Sequence, residues 1–418
     1  MKNTEYLIIL CELYRIFAQN LILIDMKPVQ VCNDIYVINV NDRRKQLFEN
    51  MWPLPFGVAY NCYIIDDEKT ALLDTVELGS TNNFMKHVDD ILKGRQLDYL
   101  IVNHMEPDHS GEILNIIAKY PNVKIAGNKQ TFKILETYFS HTENLMEVTD
   151  GYELNLGKHN LKFVTTPMVH WPESMMAYDT ENHVLFSQDA FGAFGTLDGK
   201  IFDDEANFCE DEMRRYYSNI VGKYSAMVQK AFAKLQGFQI KVICPLHGII
   251  WRENPAKVME LYDKWSRYES ETGVLILFAS MYGNTEQIAD HVARKIVENG
   301  VKNVCVYDVS KTHVSYLMSD AWKYKVIVLG SCSYNGEMHP MMEMFCREIE
   351  HYGLKNHTVA LFGTGSWSGG GLRNLQKFAE NTGWEQIAEP IEIKGIPDNE
   401  KFAKFDVFAK SISDYCKK

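Results

Sequence analysis

The strongest constraint on the fold is a regular alternation of apolar strands and helical patterns in the last third of the chain. Five strand-like runs follow one another there: GVLILFAS, VCVYDV, KVIVLGS, TVALFG and a last run near Glu392. Short apolar strands joined by helices are typical of parallel sheets that are covered by helices on both faces. Residues 271–418 therefore predict a doubly wound parallel sheet, with ligands expected at the carboxyl ends of its strands.

Residues 27–270 carry a different pattern. Short β-type runs, among them YVINV, YNCYIID, YLIVNH and HVLFSQD, recur between helical stretches, which predicts a separate layered α/β domain. A long helical pattern covers residues 210–235, and another covers residues 255–270. The domain boundary is expected at residues 271–273, where Glu-Thr-Gly precedes the first strand of the parallel sheet.

Composition argues against several classes of protein. The net charge is -12 and no block of Lys and Arg stands out, so nucleic-acid binding is not expected. No run of 18 apolar residues exists, so no membrane span is expected. The nine cysteines stand singly with no CxxC pair, which favours free thiols in a reducing, cytoplasmic compartment and argues against a built-in rubredoxin module.

Residues 1–26 are treated as an N-terminal extension. They mix apolar positions with Glu5, Glu12 and Arg15, so they do not resemble an export signal. The segment is either a short helix or sequence upstream of a functional start at Met26.

A cluster of metal-binding side chains follows the run YLIVN. The next residues include His104, Glu106, Asp108 and His109. In an extended segment alternate residues project to one side, so His104, Glu106 and Asp108 are expected to converge. His109 joins them where the chain turns into the following helix. Four such side chains within six residues at a strand end predict a metal site.

Three further candidate ligands stand at strand ends: His170, Asp189 and His247. With the first cluster they make four imidazoles and three carboxylates, which suit two ions that share a bridging carboxylate. A ligand set without thiolates favours iron or manganese over a structural zinc ion, but it does not exclude a catalytic zinc ion. The remaining histidines in polar surroundings are expected to be exposed to solvent: His87, His141, His159 and His183.

Three loops at strand ends in the second half predict a flavin site. The first ends in a helix expected to start at Glu286, whose N-terminus suits a phosphate. No Lys of the GxxxxGK[ST] type is present, so the terminal phosphate of FMN fits better than a nucleotide triphosphate. Tyr334 and Trp367 offer flat surfaces for a ring. The candidate FMN-binding residues are Ser280, Met281, Tyr282, Gly283, Asn284, Thr285, Ser331, Ser333, Tyr334, Asn335, Gly336, Thr364, Gly365, Ser366 and Trp367.

Over residues 27–415 the chain resembles the flavodiiron proteins, also called A-type flavoproteins. Their H-x-E-x-D-H motif stands at residues 104–109, H-W-P-[DE]-S at 170–174, S-x-D-A-F-G at 187–192 and P-x-H-G at 245–248. The resemblance implies a metallo-β-lactamase-like αββα sandwich at residues 27–270, followed by a flavodoxin-like domain at residues 271–418.

The resemblance also implies the role of each ligand. His104, Glu106 and His170 would hold one iron, Asp108, His109 and His247 the other, and Asp189 would bridge them. Hydrolases of the same fold usually have a second His at the position of Glu106 and bind zinc, whereas a carboxylate there suits oxidised iron. The family also carries a pocket tyrosine, which is either Tyr216 or Tyr217 in this sequence.

Two loops depart from the family's pattern. The third flavin loop reads Gly-Thr-Gly-Ser-Trp at residues 363–367 where the family often has G-S-Y-G-W, so an aromatic beside the ring is missing. Residues 57–61 read Gly-Val-Ala-Tyr-Asn where the family has G-x-[ST]-Y-N.

The function implied by the resemblance is an FMN-dependent diiron reductase of dioxygen to water, of nitric oxide to nitrous oxide, or of both. A preferential nitric oxide reductase is the main alternative. The expected partners are an external electron donor, such as rubredoxin or a reductase that uses reduced nicotinamide, and a second copy in a head-to-tail homodimer or homotetramer. Two other hypotheses are a zinc hydrolase fused to a flavodoxin and a non-enzymatic flavin electron carrier.

Overall fold

The computed structural model describes residues 27–205 and 209–417, so the N-terminal extension lies outside the described residues. The first half of the chain contains two sheets that pack face to face with helices outside them, and the second half contains one parallel sheet between helices. The predicted fold class is confirmed: a β-lactamase-like domain precedes a flavodoxin-like domain.

The first sheet has the strand order β1-β2-β5-β6-β7-β8-β9. Its strands are β1 (Val29–Cys32), β2 (Ile35–Asp42), β5 (Val58–Asp66), β6 (Thr70–Leu73), β7 (Tyr99–Ile101), β8 (Lys124–Gly127) and β9 (Leu145–Glu147). Between β2 and β5, a short hairpin is formed by β3 (Leu47–Phe48) and β4 (Trp52–Pro53). The second sheet runs in sequence order through β10 (Glu153–Asn155), β11 (Asn160–Thr165), β12 (Met175–Asp179), β13 (Val184–Gln188) and β14 (Val242–Pro245).

Helices cover the outer faces of these sheets and connect their strands. The α-helices are α1 (Thr81–Leu92), α2 (Pro107–Ser110), α3 (Ile113–Lys119), α4 (Lys129–Phe139), α5 (Glu210–Tyr216), α6 (Ser225–Leu235) and α7 (Pro255–Ser266).

A continuous apolar core lies between the two sheets. Ile35, Val37 and Tyr63 of the first sheet share one buried cluster with Phe163 and Phe186 of the second. Tyr63 and Phe186 have ring centroids 5.3 Å apart. Because the strands are anchored on this core, the loops that follow them are held at fixed positions along one edge.

The helical pattern predicted over residues 210–235 is not one α-helix. A π-helical turn, Tyr217–Val221, and a 3-10 turn, Gly222–Tyr224, separate α5 from α6. A side-chain carbon added at Gly222 would lie 2.9 Å from the Trp322 ring of the second half, so the chain passes very close to the other domain here. Extra turns of this kind are frequent beside functional sites.

The second half has the predicted doubly wound sheet, in the order β16-β15-β17-β19-β20. Its strands are β15 (Glu271–Ala279), β16 (Val304–Asp308), β17 (Tyr324–Tyr334), β18 (Glu337–Met338), β19 (Thr358–Gly365), β20 (Glu385–Gln386) and β21 (Ile391–Lys394). Its helices are α8 (Asn284–Glu298), α9 (Val314–Lys323), α10 (Pro340–Tyr352), α11 (Gly371–Thr382) and α12 (Asn399–Cys416).

The pairing of the central strands β15, β16, β17 and β19 is parallel throughout. One face of the sheet packs on α8 and α12, where Ile288 and Phe405 are fully buried with Ile276. The triplet at residues 271–273, expected as a boundary, already forms the start of β15. Along the described part of the chain, no helix combines the length and apolar character needed to cross a bilayer.

Candidate metal centre and flavin cavity

The seven candidate ligands converge in the first domain as two adjacent groups. His104, Glu106, His170 and Asp189 form one group, and Asp108, His109 and His247 form the other. Within each group the potential ligand atoms lie within 4.8 Å of one another, and every one of these residues is buried.

The structure corrects the expected placement of Asp108. Glu106 is the last extended residue, and the helical turn α2 begins at Pro107, which suits the first position of a helix. Asp108 therefore does not project beside His104 and Glu106 as it would in a strand. The turn directs it to the second group with His109, which agrees with the division implied by the resemblance.

The carboxylate of Asp189 lies between the two groups. Its Oδ2 is 2.9 Å from His170 Nε2 and 3.4 Å from His104 Nε2. Its Oδ1 is 3.0 Å from His109 Nε2. The two oxygens thus face different groups, which is the geometry that a bridging ligand requires.

The donor set fits metal ions because its acceptors face one another. His247 Nδ1 lies 2.9 Å from the carbonyl of Ala59 and donates to it, so Nε2 is the nitrogen that faces the ligand cluster. That Nε2 is 2.9 Å from His109 Nε2. Both carboxylate oxygens of Asp108 and Oδ1 of Asp189 are buried without a hydrogen-bond partner in the described residues. Buried lone pairs in this arrangement need cations between them.

The electrostatics of the cluster show the same need for positive charge. Burial alone would lower the pKa of His170, but the carboxylates of Glu106 and Asp189 raise it to about 10. The pKa of His104 is also raised, against burial, by Asp189, Glu106 and Glu173. In the opposite sense, His109 and His104 hold the pKa of Asp189 well below its ordinary value although burial raises it. Imidazole and carboxylate ligands without thiolate suit iron in this role.

Buried polar side chains hold the ligand loops in place. Asp74 accepts hydrogen bonds from the backbone N–H groups of Asn103 and His104, at 2.7 and 3.0 Å. Burial raises the pKa of Asp74 to about 6. The side-chain amide of Asn61 donates to the carbonyls of Pro245 and Gly248, at 3.0 and 2.9 Å, on either side of His247.

Sequence reasoning did not single out Asp74, although its position at the end of the buried run ALLD is the same signal that marked the ligands. The departure from the family's pattern at Ala59 is compatible with this site, since Ala59 contacts His247 through its backbone carbonyl.

The structure places Tyr216, and not Tyr217, beside the ligand cluster. The Tyr216 ring centroid lies 5.4 Å from that of His247, and its buried hydroxyl has no hydrogen-bond partner in the described residues. Burial and the carboxylates of the ligand cluster raise the pKa of Tyr216 far above its ordinary value, so the hydroxyl keeps its proton. The Tyr217 hydroxyl pairs instead with that of Ser225 at 2.8 Å. Phe48 and Phe194 pack around Tyr216 and close this side of the cluster.

Two of the histidines expected at the surface are buried. His159 is 1% exposed, and its Nδ1 lies 3.0 Å from a carboxylate oxygen of Asp179. His87 is 2% exposed. Polar neighbours in the sequence did not predict exposure: Lys86 and Lys158 are exposed, while the histidine that follows each of them is buried.

The flavin loops enclose a cavity of about 390 Å³ at the carboxyl edge of the parallel sheet. It is lined by Ser280, Met281, Tyr282, Asn284, Thr285, Cys332, Ser333, Tyr334, Asn335, Gly336, Thr364, Gly365, Ser366, Trp367 and Ser368. Cys332 and Ser368 were not predicted. Of the predicted residues, Gly283 and Ser331 are not in the lining; the Ser331 hydroxyl donates to the carbonyl of Cys332 at 2.9 Å.

The cavity has the features that FMN requires. Helix α8 begins at Asn284, two residues before the expected start, so its N-terminal N–H groups open directly on the cavity. The hydroxyls of Thr285 and Thr364 pair at 2.8 Å and join two of the loops. A side-chain carbon at Gly365 would lie 2.8 Å from the carbonyl of Ser368, so only glycine leaves the cradle open. Tyr282 and Trp367 are 90% and 88% exposed at its rim.

Family models match both domains. Residues 58–248 match the model described as ODP family beta lactamase, and residues 276–405 match the flavodoxin model.

Named relatives cover most of the chain. The anaerobic nitric oxide reductase flavorubredoxin of Vibrio vulnificus is 33% identical over 379 residues, which is 88% of this chain and 76% of that protein. The protein of the same name from Escherichia coli is 31% identical over 352 residues, which is 82% of this chain and 73% of that protein. The solved structure of rubredoxin oxygen:oxidoreductase from Desulfovibrio gigas has a TM-score of 0.89 at 27% identity, and the match covers 94% of this chain and 99% of that one.

The fold and its two sites define a flavin- and metal-dependent oxidoreductase with FMN and a pair of irons as cofactors. From its relatives and its structural neighbours, the chain belongs to the flavodiiron protein family.

Proposed function

We propose that this protein reduces small diatomic gases: dioxygen to water, nitric oxide to nitrous oxide, or both. The observation that carries the proposal is the convergence of four imidazoles and three carboxylates into two groups joined by Asp189. A flavin cavity in the same chain provides the entry point for electrons. Neither a zinc hydrolase nor a simple electron carrier needs both features together.

The proposed ligands are His104, Glu106 and His170 for one iron and Asp108, His109 and His247 for the other, with Asp189 between them. When bound, the irons supply Lewis-acid sites and electrons for a diatomic ligand, and the flavin supplies electrons from outside. The reduction of one dioxygen to two waters takes four electrons and four protons. The reduction of two nitric oxides to nitrous oxide and water takes two of each.

The chain's own side chains orient the gas and limit access of water. The Tyr216 hydroxyl keeps its proton and has no acceptor among the described residues, so it can donate a hydrogen bond to a molecule held beside the ligand cluster. Phe48 lies with its ring centroid 5.4 Å from that of His247 and covers the imidazole from one side. A dry pocket strengthens each of these polar interactions.

Electron transfer is proposed to run between two copies of the chain. The flavin and metal sites lie in different domains, and exposed apolar side chains flank both of them. Met51, in the turn of the hairpin that carries Phe48, is 52% exposed, and Trp367 is 88% exposed at the flavin cavity. A head-to-tail homodimer or homotetramer would bury both surfaces and bring the flavin of one copy to the metal site of the other. Dilution to a true monomer is then expected to abolish turnover, and an active monomer would contradict this arrangement.

An external donor completes the electron path. The expected donors are rubredoxin or a reductase that uses reduced nicotinamide, since the relative from Desulfovibrio gigas is named for rubredoxin. The described cysteines are free thiols, which supports a reducing, cytoplasmic location.

Replacement of Asp189 by Asn tests the proposal. The variant keeps the side-chain shape and removes one negative charge from between the two groups, so gas consumption is expected to be lost while FMN stays bound. Iron content near two per chain in the wild type supports the reductase. Zinc with thioesterase activity would support the hydrolase, and unchanged gas consumption in the variant would support the electron carrier.

A preference for nitric oxide is the second candidate. The curated relatives named above are both nitric oxide reductases, at 31% and 33% identity. Anaerobic reduction of the purified protein, followed by separate addition of each gas, gives the two consumption rates whose ratio decides the preference.

A further inference from the structure

The histidines of the two ligand groups differ in what supports their outer nitrogen. His104 Nδ1 lies 2.9 Å from a carboxylate oxygen of Glu173. His247 Nδ1 lies 2.9 Å from a neutral backbone carbonyl, that of Ala59. His109 Nδ1 is buried without a hydrogen-bond partner in the described residues. A full negative charge therefore stands behind one imidazole of the first group, and none of the hydrogen bonds described for the second group supplies one.

Glu173 is held rigidly in this role. Its side chain is fully buried, and its Oε1 also accepts the backbone N–H of Met105 at 2.8 Å. Since that oxygen is an acceptor in both contacts, His104 donates from Nδ1 and presents Nε2 to the ligand cluster. The other oxygen, Oε2, is buried without a partner in the described residues, so the imidazole of His104 is the group that shares its charge.

A carboxylate that accepts from a metal-bound histidine fixes the ring and makes its other nitrogen a stronger donor. We propose that Glu173 is a positioning residue that makes the two metal positions unequal. The position held by His104, Glu106 and His170 then binds a divalent cation more tightly than the position held by Asp108, His109 and His247. This inference rests on the proposed metal ligands.

Replacement of Glu173 by Gln removes the charge at constant shape. Apoprotein that retains FMN is titrated anaerobically with Co²⁺, whose visible absorption reports each binding step. The wild type is expected to bind two ions in two separate steps. In E173Q the tighter step is expected to weaken about 10- to 100-fold while the weaker step stays unchanged.

The matched control is Asp179→Asn. Asp179 is also fully buried and pairs with the imidazole of His159 at 3.0 Å, but neither residue belongs to the ligand cluster. The control is expected to leave both Co²⁺ steps as in the wild type. If E173Q weakens both steps equally, if it weakens neither, or if D179N has the same effect, the inference is overturned.

Two further variants test the inequality without depending on the folding of E173Q. His170→Ala removes a ligand from the position supported by Glu173 and is expected to abolish the tighter step. His247→Ala is expected to abolish the weaker step. The reverse result contradicts the inference but leaves the proposed function intact, whereas a wild type that binds fewer than two ions overturns both.

Discussion

Asn61 provides a direct test of how the structure positions His247. Its amide nitrogen donates to the carbonyls of Pro245 and Gly248 at 3.0 and 2.9 Å, and its oxygen accepts from Asn39 at 2.7 Å. Replacement of Asn61 by Ala would remove all three hydrogen bonds and leave the carbonyl of Gly248 without its partner, whereas the carbonyl of Pro245 keeps the Tyr63 hydroxyl at 2.6 Å. At roughly 1–3 kcal/mol for the unsatisfied carbonyl and roughly 0.5–1.5 kcal/mol for each of the other two lost hydrogen bonds, the free energy of unfolding is expected to fall by about 3 kcal/mol.

The same change is expected to loosen the loop that carries His247. Because the carbonyls held by Asn61 flank this ligand, the affinity of the weaker metal position is expected to fall about 10- to 100-fold. Urea unfolding of the apoprotein measures the stability, and Co²⁺ titration measures the affinity. The control is Asn219→Ala: Asn219 is buried and donates to the carbonyls of Arg215 and Ser315 at 2.7 and 3.1 Å, outside the ligand cluster.

The two variants separate stability from metal binding. Both are expected to unfold at lower urea concentration, and only N61A is expected to lose metal affinity. A loss of stability below about 1 kcal/mol in N61A would refute the assignment of its hydrogen bonds. Equal loss of metal affinity in both variants would show that general destabilisation, and not the loop of His247, is responsible.

Three further predictions concern the second domain and its contacts. Arg214 is buried, and its guanidinium donates to the carbonyl of Ser319 at 3.1 Å across the domain interface. Arg214→Ala is therefore expected to weaken that interface by about 3 kcal/mol, which is measured as faster hydrogen exchange in α9. Burial lowers the pKa of His357 to about 4, so the contribution of the neutral imidazole to the free energy of unfolding is full above pH 6.5 and is lost as the pH falls toward 4. His357→Gln is expected to remove about 3 kcal/mol of this pH dependence. An unchanged dependence of the unfolding free energy on pH would contradict the prediction. Thr285→Val removes a hydroxyl from the flavin cavity and is expected to weaken FMN binding about tenfold in a fluorescence titration, whereas Thr382→Val, outside that cavity, is expected to have no effect.

The sequence was most informative where a residue's chemistry and its place at a strand end coincided. All seven candidate ligands were identified from this pattern, and the structure brings them together. Most of the predicted flavin loop residues line the cavity for the same reason, since parallel strands end at one edge of a sheet.

Local pattern was misleading where a short turn changed the direction of a side chain. Asp108 follows Glu106 at strand-like spacing, yet the helical turn that begins at Pro107 moves it to the other ligand group. The π-helical turn after Tyr216 likewise lies inside a pattern that predicts an unbroken helix.

The sequence by itself determined the two fold classes, the ligand types and the glycine-rich loops, because periodicity and residue chemistry are local properties. Tertiary structure decided which oxygen of Asp189 faces which group, that Tyr216 and not Tyr217 lies beside the ligand cluster, and that Glu173 stands behind His104. These relations join residues far apart in the chain, and packing of the two sheets sets their distances. Spacing along the sequence does not encode a distance between separate strands, so the contacts had to come from the folded molecule.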